Sequence, residues 1–226
     1  MTPSQPEGGL RLEFADPVAR KPLGTSVALR STVLAPTFDL FNVGRHTATR
    51  RNKNPWARVD GPYRRAFFYY HEFAQFYSPL GFLLENGGPD DLSGVRIEAG
   101  VPAEGGIQVV PPSERPAKPS AFPLRTRIRD PREPVTPGAV KVRQSRQGWL
   151  LRADLGEVGT GETARTTGPF YVGSSESVVM ELAAGVDAEE LQEPVEFRLR
   201  IRIQASEEPL TVKDLLDALK AYEARR

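Results

Sequence analysis

His46 and His71 are the chain's only histidines, and with no cysteine present they are the first place to look for chemistry. They stand 25 residues apart, with no third nitrogen or sulfur ligand to complete a tetrahedral metal site. His71 reads as structural, within an aromatic stretch, and His46 as solvated. Among the serines, Gly173-Ser174-Ser175-Glu176-Ser177 lacks the second glycine of the nucleophile-elbow pattern G-x-S-x-G. Asp90 and Asp91 follow Gly-Gly-Pro and read as turn residues, not as an acid/base pair. Gly159, Gly161 and Ala164 spell G-x-G-x-x-A, but a dinucleotide fingerprint needs a helix to follow it, and Thr166-Thr167-Gly168-Pro169 leads into a strand. The expectation is a non-enzyme with no cofactor and no metal.

The residues best suited to touch something else are basic. Arg45, Arg50, Arg51, Lys53 and Arg58 lie in an irregular stretch whose acids are few, and Trp56 stands among them. Guanidinium and ammonium groups neutralise phosphates, and an indole stacks on an exposed base, so this stretch is the candidate nucleic-acid contact. No nucleic-acid-binding signature accompanies it.

The elements that must position these residues come from a chain of 226 residues with net charge +1. That length buries about 70 % of its extended-chain surface on folding, enough for one large domain without staples. The lack of cysteine suits the cytoplasm. No apolar run reaches signal-peptide or membrane-span length, so a soluble, unexported protein with no membrane contact is expected. Arginine outnumbers lysine amid abundant Ala, Gly and Pro, a bacterial coding habit.

Gly81 to Val110 organises the reading: strand, turn at Asn86-Gly87-Gly88, strand (Val95, Ile97 and Ala99 against Arg96 and Glu98), turn, strand. Leu10 to Phe14 and Ser26 to Leu34 alternate with period two and predict an N-terminal strand pair. Gly148 to Leu155 pairs with Ala139 to Val142 in a hairpin, and Pro169 to Val172 and Ser177 to Ala183 add strands. Pro194 to Ala205 alternates most cleanly, with Val195, Phe197, Leu199, Ile201 and Ile203 facing one way and Glu196, Arg198, Arg200, Arg202 and Gln204 the other.

Two helices are predicted. The first, about 63–77, carries Ala66, Tyr69, Tyr70, Phe73, Phe76 and Tyr77 at i, i+3, i+4, i+7 spacing, with Pro62 before it and Pro79 after. The second, about 211–225, opens on a capping-box pattern at Thr211 and Asp214 and lines up Leu215, Leu219 and Tyr222. Residues 1–208 therefore read as one mainly β domain, an immunoglobulin-like antiparallel sandwich with a basic irregular insertion (37–62) and a proline-rich loop (111–138). Residues 209–226 form its C-terminal helix.

At Leu10–Asp16 (LRLEFAD), Leu83–Gly87 followed by Val95–Glu98, Gly168–Gly173 (GPFYVG) and Glu193–Val195, the chain resembles a particular β-rich region. That region follows the AlbA-type, Schlafen-like putative DNA-binding domain in some bacterial proteins. The Glu-Asn-x-Gly element also resembles immunoglobulin-like modules of the CARDB type. The resemblance implies an accessory sandwich for interaction or positioning, and it transfers no catalytic residue. The AlbA-type domain itself is absent from this sequence, which separates the chain from the family's nucleic-acid role.

The sequence thus predicts an interaction or scaffold module of a bacterial multi-protein assembly. Leu215, Leu219 and Tyr222 are its expected protein interface, and a partner protein is its expected ligand. The second reading is a nucleic-acid-associated accessory protein acting through 45–65. Oligomeric state is left open.

Overall fold

The computed structural model describes residues 9–38, 61–119 and 137–224. Among them are twelve strands, in chain order β1 (Leu10–Ala15), β2 (Pro22–Gly24), β3 (Ser26–Pro36), β4 (Ser78–Asn86), β5 (Leu92–Pro102), β6 (Ile107–Val110), β7 (Lys141–Ser145), β8 (Gly148–Val158), β9 (Thr163–Arg165), β10 (Phe170–Ser174), β11 (Val178–Asp187) and β12 (Val195–Leu210). Two α-helices, α1 (Gly61–Phe76) and α2 (Val212–Glu223), complete the fold.

The strands form two sheets, giving a mainly β, sandwich-like architecture. The first runs β2-β1-β4-β10-β6, with β9 also on β4; the second runs β3-β12-β11-β5-β8-β7. Every pairing is antiparallel except β3 with β12, which run parallel from Ser26 opposite Arg200 to Pro36 opposite Leu210. The expected N-terminal strand pair does not form. Strand β1 pairs with β4 and β2 in one sheet, while β3 crosses to the other, because period-two alternation fixes which face a strand buries but not which neighbour it takes. The 81–110 stretch likewise crosses and returns, with β4 and β6 in the first sheet and β5 in the second.

Alternating side chains of both sheets fill the space between them. Phe14 and Phe82 stack at 6.0 Å, Phe82 and Phe170 at 5.1 Å, and Leu182, Leu199 and Ile201 close on them from the second sheet, all at zero exposure. The buried polar residues Glu13, Ser31, Asn86 and Ser174 each have a partner. Ser31 Oγ accepts from the Ser174 backbone N–H at 3.1 Å, a bond linking β3 in one sheet to β10 in the other. Asn86 accounts for the Asn-Gly-Gly turn. Its Nδ2 donates to the carbonyls of Asp90 (2.8 Å) and Val158 (3.2 Å), and its Oδ1 accepts from Gly88 N–H (3.0 Å). The G-x-G-x-x-A stretch is a turn between β8 and β9, with Gly161 at φ +74° and Glu162 N–H bonded to Gly159 O.

The helices sit over one end on a second, smaller cluster of Tyr63, Phe67, Phe68, Leu210, Leu215 and Leu219. Both start and length follow the sequence signals. The α2 capping box is complete: Thr211 Oγ1 accepts from Asp214 N–H, and the Asp214 carboxylate accepts from Thr211 N–H.

Candidate functional site

Helix α1 is aromatic around most of its circumference, and the residues it buries are not those the spacing selects. The predicted stripe puts Tyr69 inside. Instead Tyr63, Phe67 and Phe68 close on α2, and Tyr69 is 51 % exposed. Two adjoining stripes of comparable apolarity compete on such a helix, and tertiary packing selects between them. Gly173 sets how closely the C-terminal end of α1 lies on β10. A Cβ there would stand 2.5 Å from Phe76 O and 2.6 Å from its ring. His71 stacks on Phe67 at 6.0 Å, and burial lowers its pKa.

On α2 the residues expected at a partner interface pack within the chain. Leu215 and Leu219 are 0 % and 4 % exposed, because α2 folds back on α1 and satisfies its apolar stripe within the chain. Tyr222 is half-buried, edge-on to Phe67 and Tyr70, and its hydroxyl donates to Pro119 O at 2.9 Å. The nucleic-acid candidates Arg45, Arg50, Arg51, Lys53, Trp56 and Arg58 lie outside the described residues, as does His46.

The aromatic face that remains open is used in two ways. On one side the chain itself covers it. Past a 3-10 turn at Pro112–Glu114, residues 116–119 run alongside the helices. The Arg115 guanidinium sits 6.0 Å from the Tyr70 ring and 5.8 Å from the Tyr171 ring, and donates to Tyr171 Oη at 3.2 Å. Lys118 Nζ lies 5.2 Å over Tyr222. These are cation–π contacts made by a proline-bearing, basic strap.

On the other side, between α1 and β3, the aromatic face opens into a groove of about 680 Å³ lined by Tyr69, Phe73, Phe76, Tyr77, Leu34 and Pro116, among others. Tyr77 Oη donates to Gln108 Oε1 at 2.5 Å, and burial with nearby Glu114 and Glu72 raises the phenol's pKa. Glu72 lies in this groove half-buried. Its side chain makes no hydrogen bond or ion pair among the described residues, and burial raises its pKa. A carboxylate kept among aromatic rings without a partner costs stability, and such a site suits an incoming cation. No group of three metal-ligating side chains occurs among the described residues. No helix there is long and apolar enough to cross a membrane.

No protein-family model matches the chain, and no curated protein matches it. Among solved structures it is similar to a family 123 glycoside hydrolase from Clostridium perfringens, at 8 % identity and TM-score 0.34 over 89 % of this chain and 28 % of that one. A GH20 exo-β-N-acetylglucosaminidase from Vibrio harveyi shows 10 % identity and TM-score 0.28 over 59 % and 17 %. The bacterial hydrophobin BslA shows 11 % identity and TM-score 0.26 over 59 % and 83 %. The chain spans under a third of the length of either hydrolase. Likenesses of this size say nothing about activity or substrate.

Sequence reasoning missed Arg115, Tyr171, Glu72 and Gly173. Arg115 and Lys118 flank Pro116, the one local signal for the strap. Glu72 sits inside the aromatic run and was the run's only acid.

Proposed function

We propose that the protein is a non-enzymatic interaction module of a bacterial cytoplasmic assembly, and that it takes an extended, proline-bearing, basic segment of a partner protein in the groove between α1 and β3. The observation that carries this reading is Glu72, a half-buried carboxylate with no partner among the described residues, framed by Tyr69, Phe73, Phe76 and Tyr77. A cation entering the groove gains the carboxylate and the ring faces together. An extended proline segment brings little conformational entropy to lose. The chain's own strap supports the pairing, since Arg115 and Lys118 dock on the adjoining faces of Tyr70, Tyr171 and Tyr222.

The test is an array of extended peptides pairing proline with Arg or Lys, probed with the wild-type protein and with a Tyr69→Ser/Glu72→Gln variant. Binding by the wild type that the variant loses supports the module. No binding, or equal binding by both, contradicts it.

A further inference from the structure

The outer face of the second sheet divides by charge. Over β5, β7 and β8 three cations have an acid, while Arg143 on β7 has none among the described residues. Arg96 Nε lies 3.2 Å and Lys141 Nζ 3.0 Å from the Asp154 carboxylate, and Arg152 pairs with Glu98. Over β12 and β3 the balance fails. Arg198, Arg200 and Arg202 stand at alternate positions of β12, all exposed, and Arg30 is exposed on β3 beside them. Glu181, opposite Arg200 in register, lies 3.8 Å from Arg198, with its own side chain 62 % exposed. The side chains of Arg30, Arg200 and Arg202 make no hydrogen bond or ion pair among the described residues. Glu196 bounds the stripe at one end, and Glu207 and Glu208 at the other.

Alternate residues of a strand recur about every 6.6–6.8 Å on one face, and neighbouring strands lie about 4.8 Å apart. The guanidiniums therefore form a short, regular row with a fourth beside it. Small residues, Ala28, Ala183, Gly185 and Gly100, occupy nearby outward positions, with Val179 and Glu181 between them and a shallow depression at the Glu196 and Arg198 end. We infer that this face is a sequence-independent docking surface for the phosphate backbone of a nucleic-acid duplex. Arginine forks match phosphate oxygens bidentately, and a regular row of them matches a linear polyanion. No aromatic side chain stands at an outward position of this sheet among the described residues, so the face offers nothing on which unpaired bases would stack. A duplex, whose bases are already stacked, needs only its phosphates met.

Fluorescence anisotropy with a labelled duplex of arbitrary sequence, titrated over a range of salt, tests this. The same-length single strand and anionic phospholipid vesicles serve as the other arms. Wild-type protein should bind the duplex at low salt, in preference to the single strand and the vesicles, with log K falling against log salt at a slope of about −3 to −4 for four phosphate contacts. An Arg30→Ala/Arg200→Ala/Arg202→Ala variant should lower that slope to about −1 and weaken low-salt binding at least about tenfold. All three side chains are exposed, so its unfolding midpoint should stay that of the wild type. No duplex binding at low salt, unchanged binding by the variant, a preference for the single strand, or binding to vesicles alone would each overturn the inference.

Discussion

The sandwich and its helical cap bury apolar surface on different terms. Between the sheets Phe14, Phe82, Leu182 and Leu199 are fully buried, and the inner faces of their strands pack into one continuous core. The cap encloses Phe67, Leu215 and Leu219, but α1 carries more aromatic surface than α2 and β10 can cover. The remainder, Tyr69 and its neighbours around Glu72, is the groove. The difference teaches where to look for function: the sandwich core is closed, while the cap has surface and charge that no described residue covers.

Breaking the sandwich should have the largest effect. Phe82→Ala removes the middle ring of three and should cost about 3–5 kcal/mol in denaturant unfolding, with loss of the whole fold. Gly173→Ala tests whether the cap is held by close approach. The added methyl must push Phe76 and the end of α1 off β10, at a cost of about 1–3 kcal/mol, and should raise hydrogen exchange in α1 before it does so in the sheets. An equal rise everywhere would merge the two regions into one unit.

Smaller effects sharpen the comparison. Thr211→Ala removes the α2 capping box and should cost about 1 kcal/mol. Asp214's pKa is lowered chiefly by its side-chain bond to Thr211. A depressed carboxyl pKa adds stability that is present above the unfolded value of about 4 and fades as pH falls through the lower folded value, so the variant, which keeps only the backbone N–H bond to Asp214, should lose part of this acid dependence. Glu72→Gln should act the opposite way. Burial raises the Glu72 pKa, so the folded state is favoured when the group is protonated and loses that advantage as pH rises through the raised value. The variant should therefore be slightly more stable than wild type at pH 7, and the gain should vanish below about pH 4. Tyr69→Ser should leave stability within about 0.5 kcal/mol, as an exposed position allows.

The longer strands and both helices were legible because most of them bury one face, which is what periodicity reports; the short, largely exposed β2 and β9 were not. The clean alternation of Val195–Ile203 and the Thr211/Asp214 box reappear in the structure with their roles intact. Partner choice was not legible: nothing within Ser26–Leu34 says that it joins β12 in parallel instead of β1. The aromatic helix misled for a related reason. With rings on adjoining stripes, spacing alone could not say that Phe67 and Phe68 go in and Tyr69 stays out. Leu215 and Leu219 are buried because a stripe of leucines asks only for cover, and α1 of the same chain supplies it.

The central claim is that the groove between α1 and β3 takes an extended basic segment through Glu72 and the surrounding rings. Its most direct test is NMR titration of the labelled protein with a synthetic peptide carrying Arg-Pro-Ala-Lys-Pro, the pattern of residues 115–119. The account predicts shifts concentrated at Tyr69–Tyr77 and Thr32–Leu34, with affinity falling about tenfold in Glu72→Gln, the loss of one charge-assisted contact. Shifts scattered over the sheets, or an affinity indifferent to Glu72, would contradict it.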